Sequence, residues 1–287
     1  MGLRIGAHVS SAGGVDKSVE RAVALGCETV QLFCSPPQSW RFTPVSPVAA
    51  AAFRSRLAEA EVGPAFLHAI YMINLATPDA DNFKKSLDAL TNYLQAAAHI
   101  GVQGVIFHTG SHRGSGAEKG TAQLVNAIRQ VLDRSPEGPW LMLENSAGMG
   151  DHLCSRFEDI GTVVRQVDRA RLRVCLDLQH AFAAGYNLGD KAALDESMLA
   201  FDRAIGLERL GAVHANDSKT PLGSAVDRHE NIGDGQIGAG GFEVIMAHPA
   251  FRDVPFLLEV PGVKGGGPDK ENVDRLKAIR RKVGLTS

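Results

Sequence analysis

An apolar run, Leu210 to Val213, stops at His214, and the polar loop after it carries Asp227, Arg228 and His229. Other apolar runs stop in the same manner. One ends F-L-H at His68, one V-I-F-H at His108 and one W-L-M-L-E at Glu144. Another ends V-C-L-D at Asp177 with His180 three residues on, and the last ends F-L-L-E at Glu259. A single strand-end histidine is ordinarily a rim residue, and a strand-end carboxylate often caps the next helix. Short polar clusters are mostly turn chemistry. Six consecutive runs that all end on His, Asp or Glu call for one shared purpose.

Together these positions offer five imidazoles (His68, His108, His180, His214, His229) and four carboxylates (Glu144, Asp177, Asp227, Glu259). Four carboxylates gathered in one cavity repel one another and take up protons unless cations are supplied. Metal ions answer that need. Imidazole mixed with carboxylate suits zinc, manganese or iron, whereas magnesium and calcium prefer all-oxygen shells. With roughly three to four protein ligands per catalytic zinc, these residues match two or three ions. Three divalent ions against four carboxylates leave about two positive charges, which attract an anion such as phosphate. Such a centre supplies a nucleophile from water near neutral pH and stabilises a departing oxyanion.

The elements that must carry these residues are legible as apolar runs bounded by turn signals. Eight strands are expected at 4–9, 28–33, 64–69, 104–109, 139–145, 173–178, 210–215 and 255–260. Between them lie helical stretches such as 16–25, 47–60, 79–100, 117–133, 155–167 and 192–205, many with apolar residues at i, i+3, i+4 spacing such as Val19, Ala22 and Val23. Gly26, Gly63, Gly101 and Gly206 stand where helices should stop. Strand–helix alternation repeated eight times without a linker predicts an α/β chain folded as one (β/α)8 barrel over residues 1–287. The reactive residues then share the C-terminal face of the strands, where such barrels do chemistry.

Composition sets the outer bounds. The chain has 287 residues and 44% hydrophobic content, enough for one barrel-sized core. No apolar run approaches the roughly 18 residues of a membrane span, and the first residues lead straight into a strand-like run. Cys27, Cys34, Cys154 and Cys175 form no C-x-x-C pair, which reads as a reduced, cytoplasmic protein. A formal net charge of -2 lacks the global basic signature of a nucleic-acid binder, but a metal cluster adds local positive charge that a residue count misses.

Four stretches carry a family resemblance: G-A-H-V-S-S-A-G-G from Gly6, E-N-S-A-G-M-G from Glu144, D-L-Q-H-A-F-A-A-G-Y-N from Asp177, and H-A-N-D-S-K…G-S-A-V-D-R-H-E-N-I-G from His214. Spread along nearly the whole chain, they resemble endonuclease IV, the metal-dependent apurinic/apyrimidinic endonucleases. The resemblance implies a (β/α)8 barrel with three zinc ions, with manganese or iron an option at some positions. By that resemblance His68, His108 and a bridging Glu144 hold one ion, and Glu144, Asp177, His214 and Glu259 the second. His180, Asp227 and His229 hold the third. It also implies base-excision DNA repair: duplex DNA is bound, the abasic nucleotide is extruded, and a metal-held hydroxide, with Glu144 and Glu259 among its supports, attacks the phosphorus 5′ to the lesion. Extrusion is cheapened by the missing base.

The chain departs from the family pattern at a few places. Leu178 and Gln179 replace smaller polar residues, Val260 follows Glu259 where Thr is common, and Gln38 stands where an Arg can occur. By resemblance Tyr71, Met72 and Gln38 enter the DNA at the lesion, with Met72 an apolar wedge. Lys219, Arg228 and Lys264 lie in loops of the same face and could meet phosphates. Asn145 and Asn216 each follow a candidate ligand and could orient it by a hydrogen bond. His8 ends the first strand in a supporting or packing role, and His99 and His248 belong to the outside. The run G-V-K-G-G-G-P from Gly262 lacks the ending of a P-loop. No nucleotide cofactor and no membrane partner are expected, and a monomer is.

Two rival readings remain. A sugar isomerase or epimerase on the same barrel would need one metal, which Glu144, Asp177, His214 and Glu259 could supply; it leaves the other five candidate ligands without a task. A DNA-lesion binding module without catalysis would be expected to have lost a ligand, and none is missing.

Overall fold

The computed structural model describes residues 2–286. Eight parallel strands form a closed cylinder: β1 (Ile5–Val9), β2 (Thr29–Leu32), β3 (Ala65–His68), β4 (Gly104–His108), β5 (Trp140–Glu144), β6 (Leu172–Asp177), β7 (Leu210–His214) and β8 (Phe256–Leu258). Closure is made where Ile5, Gly6 and Ala7 pair with Phe256, Leu257 and Leu258. The expected strands are all present, most of them trimmed at their ends, while the one expected at 173–178 begins and ends one residue earlier. The strand expected at 255–260 shrinks to β8, so Glu259 stands just beyond it.

Around the cylinder run α1 (Val15–Leu25), α2 (Pro47–Glu59), α3 (Ala80–Ile100), α4 (Ala117–Asp133), α5 (Phe157–Val167), α6 (Leu178–Ala183), α7 (Lys191–Ala204), α8 (Gly238–Ala247) and α9 (Lys270–Lys282). Local chemistry sets several of their ends. The side chains of Ser46, Asp79, Asp190 and Asp269 accept hydrogen bonds from first-turn amides, and Gly26 and Gly101 end α1 and α3 in the left-handed conformation. Three helices fall outside the expected stretches. α6 is buried all round and has no amphipathic stripe, α8 opens G-A-G-G, and α9 is dominated by charged residues. Among the described residues no helix is long and apolar enough to cross a membrane.

Two apolar layers result. The larger lies between barrel and helices; the smaller fills the barrel with Phe66, Ile106, Met142, Cys175, Ala212 and Leu257, one from each strand from β3 to β8. Side chains two apart on a strand share a face. Two residues beyond these six stand His68, His108, Glu144, Asp177, His214 and Glu259. Each strand therefore plugs the barrel with one inward residue and presents the next at its mouth. On β1 the corresponding lower position is Gly6, where a Cβ would sit 1.8 Å from the Thr29 carbonyl oxygen, so glycine is what lets β1 and β2 come together there.

Candidate metal centre

Register brings the mouth residues level. His108 pairs with Glu144 across β4 and β5, and Asp177 with His214 across β6 and β7. Glu144 lies at the hub: its Oε2 is 3.1 Å from His68 Nε2 and 3.2 Å from His108 Nε2, and its Oε1 is 2.9 Å from His214 Nδ1. His214 Nδ1 also lies 3.3 Å from Glu259 Oε2 and 3.7 Å from Asp177 Oδ2. His180 and His229 stand to one side, each Nε2 3.4 Å from an oxygen of Asp227. Three sets each converge within 4.8 Å: His68, His108 and Glu144; Glu144, Asp177, His214 and Glu259; and Asp177, His180 and His229. Asp177 reaches the third set as well as the second, and Asp227 joins it through both of its imidazoles.

Asp177 also has a local task. Its Oδ1 caps α6 by accepting from the His180 amide at 2.8 Å, which fixes His180 one turn beyond the strand end. The loop bearing Asp227 and His229 is pinned by a short antiparallel pair, Asp217–Ser218 with His229–Glu230. Asp217 anchors the loop further. Its buried carboxylate accepts from the amides of Ser218, Gly233, Gly235, Ile237 and Gly238 at 2.8–3.3 Å.

Electrostatically the centre demands cations. Burial pushes Glu144 and Glu259 toward neutrality, yet His214 above all, with His108 at Glu144 and His8 at Glu259, holds both carboxyls well below the usual range. Burial opposes charge on His180, and Asp177, Asp227 and Glu144 outweigh it, raising that imidazole to about 10. The carboxylates thus stay ionised by drawing protons onto neighbouring histidines, and divalent ions can take over that role.

The histidine rings are turned as ligands should be. His68, His180 and His229 each direct Nδ1 at a backbone carbonyl, of Ala69, Asn145 and Glu259, at 2.7, 2.9 and 3.2 Å. Those bonds fix the proton on Nδ1 and leave Nε2 free to coordinate. His229 Nε2 is buried without any hydrogen-bond partner, an arrangement that fits a metal ligand.

The residues expected at the periphery are variously placed. Tyr71 is exposed, with its ring 5.8 Å from that of His108 and 5.4 Å from Phe33, beside a cavity of about 660 Å³ lined by His8, Ser11, Phe33, Glu259 and Gly267. Met72 is half-buried against the core and Gln38 is exposed. Lys219, Arg228 and Lys264 are exposed; Lys219 lies 3.9 Å from Glu230 and Arg228 bonds the Asp227 carbonyl. Gln179, a departure from the family pattern, is buried and donates to the Val226 carbonyl at 3.0 Å, which ties down the approach to Asp227. Asn216 serves ligands other than the His214 it nearly follows. It donates to Asp177 Oδ2 at 2.7 Å and accepts from the Glu259 amide. Asn145 grips the backbone of Asp177 from both sides.

Three site residues have no counterpart in the sequence reading: Gln31, Asp217 and His152. His152 is exposed and lines a small cavity with His108, His180 and Asp227. Gln31 alone had a signal, a second polar residue two positions after Thr29 on one face of a buried strand.

Fold and site together define the class. Residues 19–282 match the family described as xylose isomerase-like TIM barrel. A probable endonuclease 4 of Trichlorobacter lovleyi is 41% identical over 277 residues, covering 96% of this chain and 99% of that protein. The crystal structure of endonuclease IV from Thermus thermophilus superposes with a TM-score of 0.84 at 37% identity, covering 97% of this chain and 99% of that one. The chain belongs to the endonuclease IV family. A D-tagatose 3-epimerase-like protein, 18% identical with a TM-score of 0.73 over 98% of this chain and 97% of its own, shares the barrel.

Proposed function

We propose that this chain is a metal-dependent DNA-repair endonuclease that hydrolyses the phosphodiester 5′ to an abasic site in duplex DNA. Water adds to phosphorus and the bond to the preceding 3′ oxygen breaks, leaving a 3′-hydroxyl and a 5′-deoxyribose phosphate. The whole chain acts as one catalytic domain. The observation that carries this reading is the surplus of ligands: His68, His108, His180, Asp227 and His229 crowd around a Glu144–Asp177–His214–Glu259 set that alone would serve one ion.

Three zinc ions, with manganese or iron as substitutes at some positions, would be held by the nine residues in the overlapping groups described. When bound they would supply Lewis acidity toward a phosphodiester and an activated water near neutral pH. The chain's own residues do the rest. Glu144 and Asp177 each face two groups and keep them in fixed relation. The cavity beside Glu259 offers room for an extruded sugar, and the Tyr71 ring at its edge offers a face for stacking. Met72 and Gln38 flank the duplex at the lesion, while Lys219, Arg228 and Lys264 meet phosphates.

The deciding experiment is incision of a duplex carrying one stable abasic-site analogue, beside an intact duplex, before and after prolonged chelation with zinc add-back. Cleavage only 5′ to the lesion, lost on chelation and restored by zinc, supports the proposal. No incision with about three metals per chain would retain the cluster and reject the substrate. No incision with one metal would favour the sugar isomerase, and lesion binding without incision the non-catalytic module.

A further inference from the structure

Four histidines of the centre have their second ring nitrogen held by a neighbour, and they divide into two kinds. In His68, His180 and His229 a backbone carbonyl holds Nδ1, and Nε2 faces the carboxylates. His214 is reversed: Nδ1 faces Glu144, Asp177 and Glu259, and Nε2 lies 2.9 Å from the amide oxygen of Gln31. For His214 a side chain takes the place of the main-chain carbonyl.

Gln31 is fully buried on β2, in register with His8 of β1. Its Nε2 lies 2.6 Å from Glu259 Oε1 and 2.9 Å from His8 Nδ1. The carboxylate settles which end of the amide is which, since reversing it would press two oxygens together at 2.6 Å. Both ends of the amide are therefore engaged: its N–H₂ donates to Glu259 and lies beside His8 Nδ1, and its oxygen accepts from the Nε2–H of His214.

We infer that Gln31 is the positioning residue of the central metal group, fixing His214 in the Nε2–H tautomer that presents Nδ1 and holding Glu259 in place with the same amide. A proton moved to Nδ1 would block the only nitrogen that faces Glu144, Asp177 and Glu259. This role rests on the metal-centre reading above and adds to it a residue that touches neither metal nor substrate. Groups that orient ligands in this way typically change metal affinity by about 10- to 100-fold when removed.

The test compares wild type with Gln31→Met, which keeps volume and loses the amide's donors and acceptor, and with Gln31→Glu, which keeps only the acceptor for His214. Zinc per chain is measured after equilibration against graded chelator, and imidazole tautomers are read from long-range proton–nitrogen spectra of the zinc-loaded proteins. In wild type one coordinated imidazole should be protonated at Nε2, the reverse of those of His68, His180 and His229. Gln31→Met should release one zinc at about 10- to 100-fold lower chelator while the others stay, and should lose that reversed signal. Gln31→Glu should keep the reversed signal and still release the zinc early, because Glu259 has lost its donor and gained a like charge. Equal zinc retention in wild type and both variants would overturn the inference. If Gln31→Met proves unfolded by circular dichroism, Gln31→Glu decides alone, on the same two readouts. Wild type that takes up no zinc at all would instead reject the metal centre itself.

Discussion

Glu144 and Asp227 occupy different stations in the centre, and that difference predicts how their loss should read out. Glu144 is completely enclosed and within 3.2 Å of His68, His108 and His214, so two of the three groups use it. Glu144→Gln should therefore weaken two metals at once and lower incision by more than about 100-fold. Asp227 is about one-third exposed and lies 3.4 Å from both His180 and His229. Asp227→Ala should abolish incision with the loss of one metal, leaving circular dichroism unchanged. Metal stoichiometry beside activity checks both, and loss of a single metal in Glu144→Gln would contradict the shared placement. Glu259→Gln should likewise stop incision without unfolding the chain. Glu144 and Glu259 were legible in the sequence because each ends an apolar run on a polar ligand type that the two-residue period of a strand aims inward, and Asp227 because its polar loop follows such an end at His214. The roles of Gln31 and Asp217 were not, because they depend on which strands and loops become neighbours, and spacing along the chain does not encode that.

At the scale of elements, the segment from 217 to 238 carries two candidate ligands on very little regular structure. What holds it is one carboxylate with five amide donors. Asp217→Asn replaces an acceptor with an N–H₂ group directed at those amides, leaving some of them unpaired. Hydrogen exchange at Gly233, Gly235, Ile237 and Gly238 should accelerate, and zinc affinity at the His180–Asp227–His229 group should fall by about 10- to 100-fold. Protection unchanged at those amides would remove Asp217 from this role. Packing between helices gives a second test. A Cβ on Gly161 of α5 would lie 2.2 Å from the Ala204 carbonyl oxygen at the end of α7. Gly161→Ala should destabilise the fold by roughly 1–3 kcal/mol in urea unfolding, since the backbone must move to admit it. Most helices read correctly from sequence carry an apolar stripe, whereas α6 and α8 lack one and α9 sets Val273, Leu276 and Ile279 among charged residues. Closure of the barrel rested on a count of eight strands, and the β1–β8 pairing shows why the count sufficed.

Across the whole molecule the two ends of the barrel divide the work, with chemistry at the C-terminal mouth and closure at the opposite face. At that opposite face Arg280 of α9, nearly fully buried, donates to the Leu3 carbonyl and forks onto both oxygens of Glu28, whose Oε2 also accepts from the Ile5 amide. Lys277 adds a second cation 3.2 Å from Glu28. The last helix is thereby fastened to the strand that begins the barrel and to the threshold of the next. Burial pushes Glu28 up, but Arg280, the Ile5 amide and Lys277 prevail and hold its carboxyl below the ordinary glutamate value of 4.5. A carboxyl whose folded pKa is depressed binds protons less readily when folded. Its contribution is complete above the ordinary glutamate range and is lost as pH falls through the lower folded value. Glu28→Gln removes the charge while keeping the shape and leaves Arg280 without its counter-ion, so it should cost about 3 kcal/mol at neutral pH. The experiment is urea unfolding of metal-free wild type and variant from pH 7 downward, which keeps zinc release out of the comparison. The gap between the two should hold steady to the top of the glutamate range and then narrow as Glu28 in the wild type takes up its proton. A gap that is small at neutral pH, or that widens on acidification, would mean that α9 is held by its apolar contacts and that the Glu28–Arg280 fork only decorates the closure.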